Sequence, residues 1–335
     1  MVFANIKPIL KRVYFKLANW LPLRRHIIFE SHPDLSGNTF QVFQKMIDEK
    51  LNESYKLIWL VNDKKAHNDY KMYNVRFENL KAKGFMESLN GLFLRATAKC
   101  IITENRFIPK ANRHQFVMYL SHGTILKNVY GKIVIGSRCA YVLYQSDFVK
   151  ELTAEQIQVD INKLVCLGYP RNDLLFERSK CIGKVYKDRS FKKVILWMPT
   201  FRHHRNKRRV DSIASFPLGI PVVYGEEQLR ELNECLKEKN ILMVLKPHPA
   251  QDLSKLKAQP LSNFVILYDA DLSRHNVQLY EFVRNTDALI TDYSSIYFDY
   301  LLTKKPIGIT IDDIEEYEQT LGFAFGRVSR ILKGD

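Results

Sequence analysis

The chain has no run of about 18 uncharged apolar residues, so no helix suited to crossing a bilayer is expected. Cysteine is scarce. The five (Cys100, Cys139, Cys166, Cys181 and Cys235) are scattered, odd in number and never spaced C-x-x-C. That excludes a disulfide framework and a zinc site, and it fits reduced thiols in a cytosolic protein. The first residues lack the unbroken apolar core of a secretory signal. There is no short internal repeat, no low-complexity tract, no RNP-like aromatic motif, no zinc finger and no basic zipper, so a nucleic-acid-binding reading would rest on charge alone. Acidic residues are the minority charge: 36 Asp and Glu stand against 51 Lys and Arg, a formal net charge of +15 at pH 7. The excess points to a polyanionic partner, whether nucleic acid, an acidic membrane surface or a phosphate-rich substrate.

At 335 residues the chain is long enough for two domains with their own cores. Residues 1–25 form a basic opening. Phe3, Ile6, Ile9, Leu10, Val13, Leu17 and Trp20 fall near helical spacing, and Lys7, Lys11, Arg12, Lys16, Arg24 and Arg25 occupy much of the remainder. Such a helix suits an anionic membrane surface. It could equally pack on its own domain with the basic face solvated. From residue 26 short apolar strands alternate with helices, the pattern of a parallel sheet covered on both faces. Lys180 to Lys193 is charged and poor in apolar residues, after which the pattern restarts at Val194. The expected class is therefore α/β, with two Rossmann-like domains over 26–180 and 181–335 facing across a cleft, preceded by a basic amphipathic helix.

Ligands of open α/β sheets bind outside the carboxyl ends of the strands. Five expected strand ends here carry reactive residues. They are Ser121-His122-Gly123-Thr124-Ile125-Leu126-Lys127, Gly168-Tyr169-Pro170-Arg171-Asn172-Asp173, Pro199-Thr200-Phe201-Arg202, Lys246-Pro247-His248-Pro249 and Asp292-Tyr293-Ser294-Ser295. In the last, a strand over 288–290 passes through a polar turn into a helix, whose first N–H groups and hydroxyls suit a phosphate. Taken alone, Ser294 or Ser295 reads as well as a helix cap. Gly123 would let the backbone approach a ligand. Pro247 and Pro249 stiffen the loop around His248. The basic run from Arg202 to Arg209 suits an anionic ligand or a solvated loop.

In this order, and together with Trp197-Met198 and Phe298-Asp299, these motifs resemble the CDP-glycerol glycerophosphotransferases of teichoic acid synthesis, a family that includes primases, polymerases and ribitol-phosphate relatives. The resemblance covers roughly residues 26 to 323. It implies a GT-B-type fold, a CDP-glycerol or CDP-ribitol donor, and peripheral attachment to the cytoplasmic face of the cell membrane. It also implies that His122 and His248 matter for catalysis. The chain departs from the family at Ile125, where Pro is usual, and at Leu321-Gly322-Phe323, where R-G-F is usual. The polymerases carry a longer N-terminal region, and the family normally continues into closing helices beyond the position of Asp335, so a truncated or divergent C-terminus is expected.

The expected reaction is phosphoryl transfer from the CDP-alditol to a hydroxyl of a lipid-linked glycan or polyol-phosphate acceptor, releasing CMP. It calls for positioning and charge stabilisation more than covalent help. His122 is the expected general base, and His248 the group at departing CMP. Donor binding is expected from Gly123, Thr124, Thr200, Arg202, Lys246, Asp292, Ser294, Ser295 and Asp299, with Lys127, Arg171 and Asp173 as further candidates. Asp269-Ala270-Asp271 matches the D-x-D pattern by which some transferases hold Mg2+, but nothing else clusters around it and no metal site is assigned. A GT-B glycosyltransferase using a nucleotide-sugar would share this fold and these strand ends; a basic nucleic-acid-binding protein is the reading from another class.

Overall fold

The computed structural model describes residues 12–80, 89–177, 180–187, 189–200, 216–248, 251, 253, 256 and 261–326. The chain divides into two compact units, one of residues 1–122 and 130–171, the other of residues 123–129 and 172–335. The division near 171/172 comes ahead of the charged stretch from Lys180 to Lys193. The reason is apolar: Cys181, in the short helix α5 (Cys181–Val185), is buried in the core of unit 2, with Leu175 beside it.

Among its described residues, unit 1 holds seven parallel strands. They are β1 (Arg24–Glu30), β2 (Lys56–Val61), β3 (Val75–Asn79), β4 (Ala98–Thr103), β5 (Phe116–Tyr119), β6 (Tyr141–Tyr144) and β7 (Leu164–Cys166), in the order β3-β2-β1-β4-β5-β6-β7. Ile28 of β1 registers with Ile58 of β2 and Ile101 of β4, and all three are fully buried. Neighbouring Phe29 and Trp59 point to the opposite face, as the two-residue period requires. There they stack 5.4 Å apart and receive Phe43 of helix α2 (Gly37–Asp48). Helix α3 (Leu89–Thr97) leads into β4. The sequence pattern does not signal β3, because VRFEN carries two charges; an edge strand tolerates them.

Residues 12–18 are helical (α1). Tyr14, Phe15, Ala18 and Leu21 pack with Ala96 and Ala111, and the Tyr14 hydroxyl donates to the Leu92 carbonyl at 3.0 Å. Residues 1–11 of the expected amphipathic segment lie outside the described residues.

Among its described residues, unit 2 holds five parallel strands, β8 (Lys193–Met198), β9 (Ile241–Leu245), β10 (Phe264–Ile266), β11 (Ala288–Thr291) and β12 (Ile307–Ile309), in the order β10-β9-β8-β11-β12. Alternation along the strands feeds two cores. Val194, Leu196, Leu242 and Val244 meet α8 (Leu279–Arg284) and α9 (Ile296–Leu301) through Tyr280, Phe282, Ile296 and Tyr300. Trp197, Met243 and Leu245 meet Leu229 and Leu236 of α6 (Glu226–Glu238) on the other face. Each unit is therefore an α/β layer structure around a parallel sheet. The order reverses between β1 and β4 in unit 1 and between β8 and β11 in unit 2, and ligand crevices form at such switch points.

Candidate functional site

In unit 2 the switch point is tied shut at its base. Asp292, just past β11, is 3% exposed and accepts the Thr200 N–H on both carboxylate oxygens, at 2.8 and 3.0 Å. Thr291 Oγ1 donates to the Met198 carbonyl at 2.8 Å. Tyr293 turns inward: its hydroxyl donates to Asp313 at 3.2 Å, and its ring lies 4.4 Å from Tyr317 and 5.1 Å from Phe323. With Tyr293 in the core, Ser294 and Ser295 stay half-buried at the start of α9. Ser295 stands at the cap position but makes no side-chain capping hydrogen bond. The plain cap reading of Ser295 is therefore not what the geometry contains.

Asp299 differs from its expected place at the donor. It is fully buried within α9, where it accepts Asn172 Nδ2 at 3.1 Å and the Tyr280 hydroxyl. A carboxylate so enclosed braces the turn from behind, tying Asn172 to α9, and has no surface to offer a ligand.

Lys246 follows β9 and is 6% exposed. Its N–H donates to the Trp197 carbonyl at 2.8 Å, and its Nζ lies 2.9 Å from Asp269, the first residue of α7 (Asp269–Arg274). Asp271 accepts the Tyr268 N–H at 2.9 Å and lies 3.2 Å from Arg274. Both carboxylates of the D-x-D pattern thus engage protein groups. Among the described residues no group of three or more His, Cys, Asp or Glu is arranged to hold a metal ion. His248, two residues past Lys246, is exposed, as is Asp173. Arg202 lies outside the described residues.

Residues 123–129 join unit 2 by a short antiparallel pairing. Lys127 bridges Phe323, Ala324 N–H donates to the Leu126 carbonyl at 2.9 Å, and Asn128 N–H donates to the Gly322 carbonyl at 3.0 Å. Leu126 and Leu321 pack with the Tyr293–Tyr317–Phe323 aromatic cluster, and the Lys127 ammonium sits 5.9 Å over the Tyr317 ring. Thr124 is buried within this segment.

In unit 1 the strand ends bring His122 next to residues the motif search passes over. Ser121 has a left-handed backbone, φ 56°, and its carbonyl accepts Asn38 Nδ2 at 2.8 Å. The His122 carbonyl accepts Arg171 Nη1 at 2.9 Å, and the Arg171 N–H donates to Asn38 Oδ1 at 3.1 Å. Glu104, one residue past β4, accepts the Thr39 N–H at 2.8 Å and lies 3.9 Å from Arg171. The His122 side chain is exposed above this ring of buried contacts. Burial pushes the Glu104 carboxyl above the usual carboxylate range, against the pull of Arg171 and the Thr39 N–H. Glu30, at the end of β1, is pushed up to about 7, again by burial, with Arg106 opposing and Glu104 and Asp34 adding to the rise. Glu30 and Glu104 were findable: they stand at the ends of the apolar strands β1 and β4, the same signal that picked out the five motif turns.

The comparisons with known proteins agree with this layout. The teichoic acid poly(glycerol phosphate) polymerase of Bacillus spizizenii is 27% identical over 97% of this chain and 84% of its own length. The polymerase of the same description from Bacillus subtilis is 27% identical over 93% of this chain, which spans 42% of that longer protein. The teichoic acid ribitol-phosphate primase of Bacillus spizizenii is 28% identical over 58% of this chain and 47% of its own length. The chain thus spans most of one curated relative and less than half of the other two. Among solved structures, the wall teichoic acid polymerase TagF superposes with a TM-score of 0.65 at 24% identity, covering 96% of this chain and 80% of that one. A TagF variant soaked with CDPG superposes with a TM-score of 0.66 at 21% identity, covering 96% and 79%. Both likenesses concern the fold. With its motif turns in order on two parallel sheets, and with the family's sequence model matching residues 13–334, the chain belongs to the CDP-glycerol:poly(glycerophosphate) glycerophosphotransferase family.

Proposed function

We propose that this chain transfers glycerol phosphate or ribitol phosphate from a CDP-alditol to a hydroxyl of a membrane-borne glycan or polyol-phosphate acceptor, in the synthesis of teichoic acid or a related cell-surface polymer. The observation that carries the reading is the family match over residues 13–334, with the motif residues at the carboxyl ends of β5, β7, β8, β9 and β11. The acceptor oxygen bonds to the β-phosphorus while the bond from that phosphorus to the bridging oxygen breaks. CMP leaves with the bridging oxygen and its electron pair. The acceptor proton passes to the imidazole of His122, acting as general base.

Thr124, Thr200, Ser294 and Ser295, with the N–H groups of their turns, bind the pyrophosphate. Gly123 lets the backbone approach it. Arg202 and Lys246 offset its charge, and His248 stabilises departing CMP. Each unit is read as one Rossmann-like half of a GT-B-type fold. Asp292 holds the Thr200 turn in register, and Asp299 supports the serine turn from within.

The chain works at the inner face of the cell membrane. Support comes from α1 and the turn that follows it: Tyr14, Phe15 and Ala18 pack inward, whereas Val13, Leu17 and Trp20 are 48%, 61% and 82% exposed, with Arg12 and Lys16 exposed beside them. An apolar stripe among basic residues suits an anionic bilayer surface.

The test is incubation of the protein with labelled CDP-glycerol, CDP-ribitol and a nucleotide-sugar on native membranes. Label entering polymer from a CDP-alditol alone is expected. Incorporation from the nucleotide-sugar alone would replace this reading with that of a glycosyltransferase.

A further inference from the structure

We propose that Asn38, Glu104 and Arg171 are positioning residues that set the orientation of His122. The inference rests on the reading of His122 as the general base and adds the device that aims it. The chain turns sharply at the end of β5, and Ser121 there takes a left-handed backbone without being glycine. Such a conformation persists only where its surroundings hold it. Here both consecutive carbonyls of the turn are captured from outside the loop. Asn38 donates to the Ser121 carbonyl at 2.8 Å, and Arg171 donates to the His122 carbonyl at 2.9 Å. The two captors are themselves joined, since Asn38 Oδ1 accepts the Arg171 N–H at 3.1 Å.

Glu104 braces the assembly. One of its carboxylate oxygens accepts the Thr39 N–H, which fixes the start of α2 and so Asn38; the other faces Arg171 at 3.9 Å. The fit leaves no slack. Gly37 takes a φ of +67°, and a Cβ placed there would run into the Glu104 carboxylate. Asn38 is fully buried, while Glu104 and Arg171 are 3% and 7% exposed, so these hydrogen bonds are not exchanged for water. His122 and Arg171 are also the residues from which the chain leaves unit 1 for unit 2. The arginine therefore holds the backbone of the base at one of the points where the chain departs. None of the three side chains needs to touch substrate. Their effect is on where the imidazole stands, and a displacement of about 1 Å costs a reaction of this kind about 100-fold.

A purely structural role and a positioning role separate in a double-mutant cycle. The full chain is assayed for single-turnover transfer of glycerol phosphate from labelled CDP-glycerol to membrane acceptor. The variants are Asn38→Ala, Arg171→Lys, His122→Ala, and each of the first two combined with His122→Ala. CDP-glycerol affinity is read in parallel by calorimetry. Asn38→Ala is expected to slow turnover by about 100-fold with donor affinity unchanged. In the His122→Ala background the same change should cost less than about twofold, because its effect passes through a side chain already gone. Equal losses in both backgrounds, or wild-type turnover in Asn38→Ala, would overturn the proposal. Should Asn38→Ala not fold, Arg171→Lys keeps the charge beside Glu104 while withdrawing the bond to the His122 carbonyl, and the same masking is expected of it. A His122→Ala enzyme that retains wild-type turnover would overturn the base assignment instead, a distinct signature.

Discussion

Buried carboxyls mark the switch point of unit 1. Glu30 is 3% exposed, and its pKa rises from the ordinary 4.5 to about 7 through burial. An acid with a higher pKa folded than unfolded holds its proton more tightly in the fold. Its favourable contribution is complete below about 4.5 and is lost as pH rises to about 7. At about 1.4 kcal/mol per pH unit, that loss amounts to about 3 kcal/mol. Glu30→Gln keeps the shape without the titration. Denaturant midpoints should therefore fall from pH 5 to pH 8 more steeply for wild type than for Glu30→Gln, and parallel curves would show that Glu30 does not titrate in this window. At the same scale, the sequence made His122, Lys246, Ser294 and Ser295 visible because they sit in strand-end turns. It hid the roles of Asn38 and Asp299, because their partners Ser121, Arg171, Asn172 and Tyr280 come from turns and helices that only the fold brings together.

Among the elements, the strands were the most legible. Strands buried on both faces read as unbroken apolar runs, as in Leu57–Val61 and Leu242–Leu245. The edge strand β3 and the short helices α7 and α10 (Ile314–Thr320) were not legible, since they present few apolar residues and are placed by tertiary contacts. The D-x-D pattern is such a case: Asp271 ties the start of α7 to the Tyr268 N–H, and Asp269 lies 2.9 Å from the Lys246 ammonium. Helix α1 carries a prediction of its own. Replacing Val13, Leu17 and Trp20 together by Ser removes exposed apolar surface and leaves the packed face of Tyr14, Phe15 and Ala18 intact. A buried apolar side chain of this size is worth about 1.5–3 kcal/mol, so sedimentation with anionic liposomes should fall by at least about tenfold with little change in melting temperature. Undiminished sedimentation would remove α1 from the membrane contact.

For the whole molecule, alternation of strands and helices announced α/β architecture with parallel sheets, while the net charge of +15 raised only the expectation of a polyanionic partner. Composition did not announce where the units divide. Residues 180–193 read as a charged boundary, yet Cys181, Ile182, Val185, Tyr186 and Phe191 belong to the core of unit 2. Nor did it reveal that the segment after His122 crosses to unit 2 for residues 123–129, because that placement depends on backbone pairing with Gly322, Phe323 and Ala324. The proposed base thus belongs to unit 1 and the proposed phosphate-binding turns to unit 2.

The most direct test of the catalytic account is the rate at which folded His122→Ala transfers glycerol phosphate from CDP-glycerol to polymer-bearing membranes, releasing CMP, set beside its affinity for CDP. A general base contributes about 100- to 10,000-fold, so turnover should drop by that factor while CDP affinity stays nearly unchanged. Turnover within about threefold of wild type, far short of that range, would contradict the account.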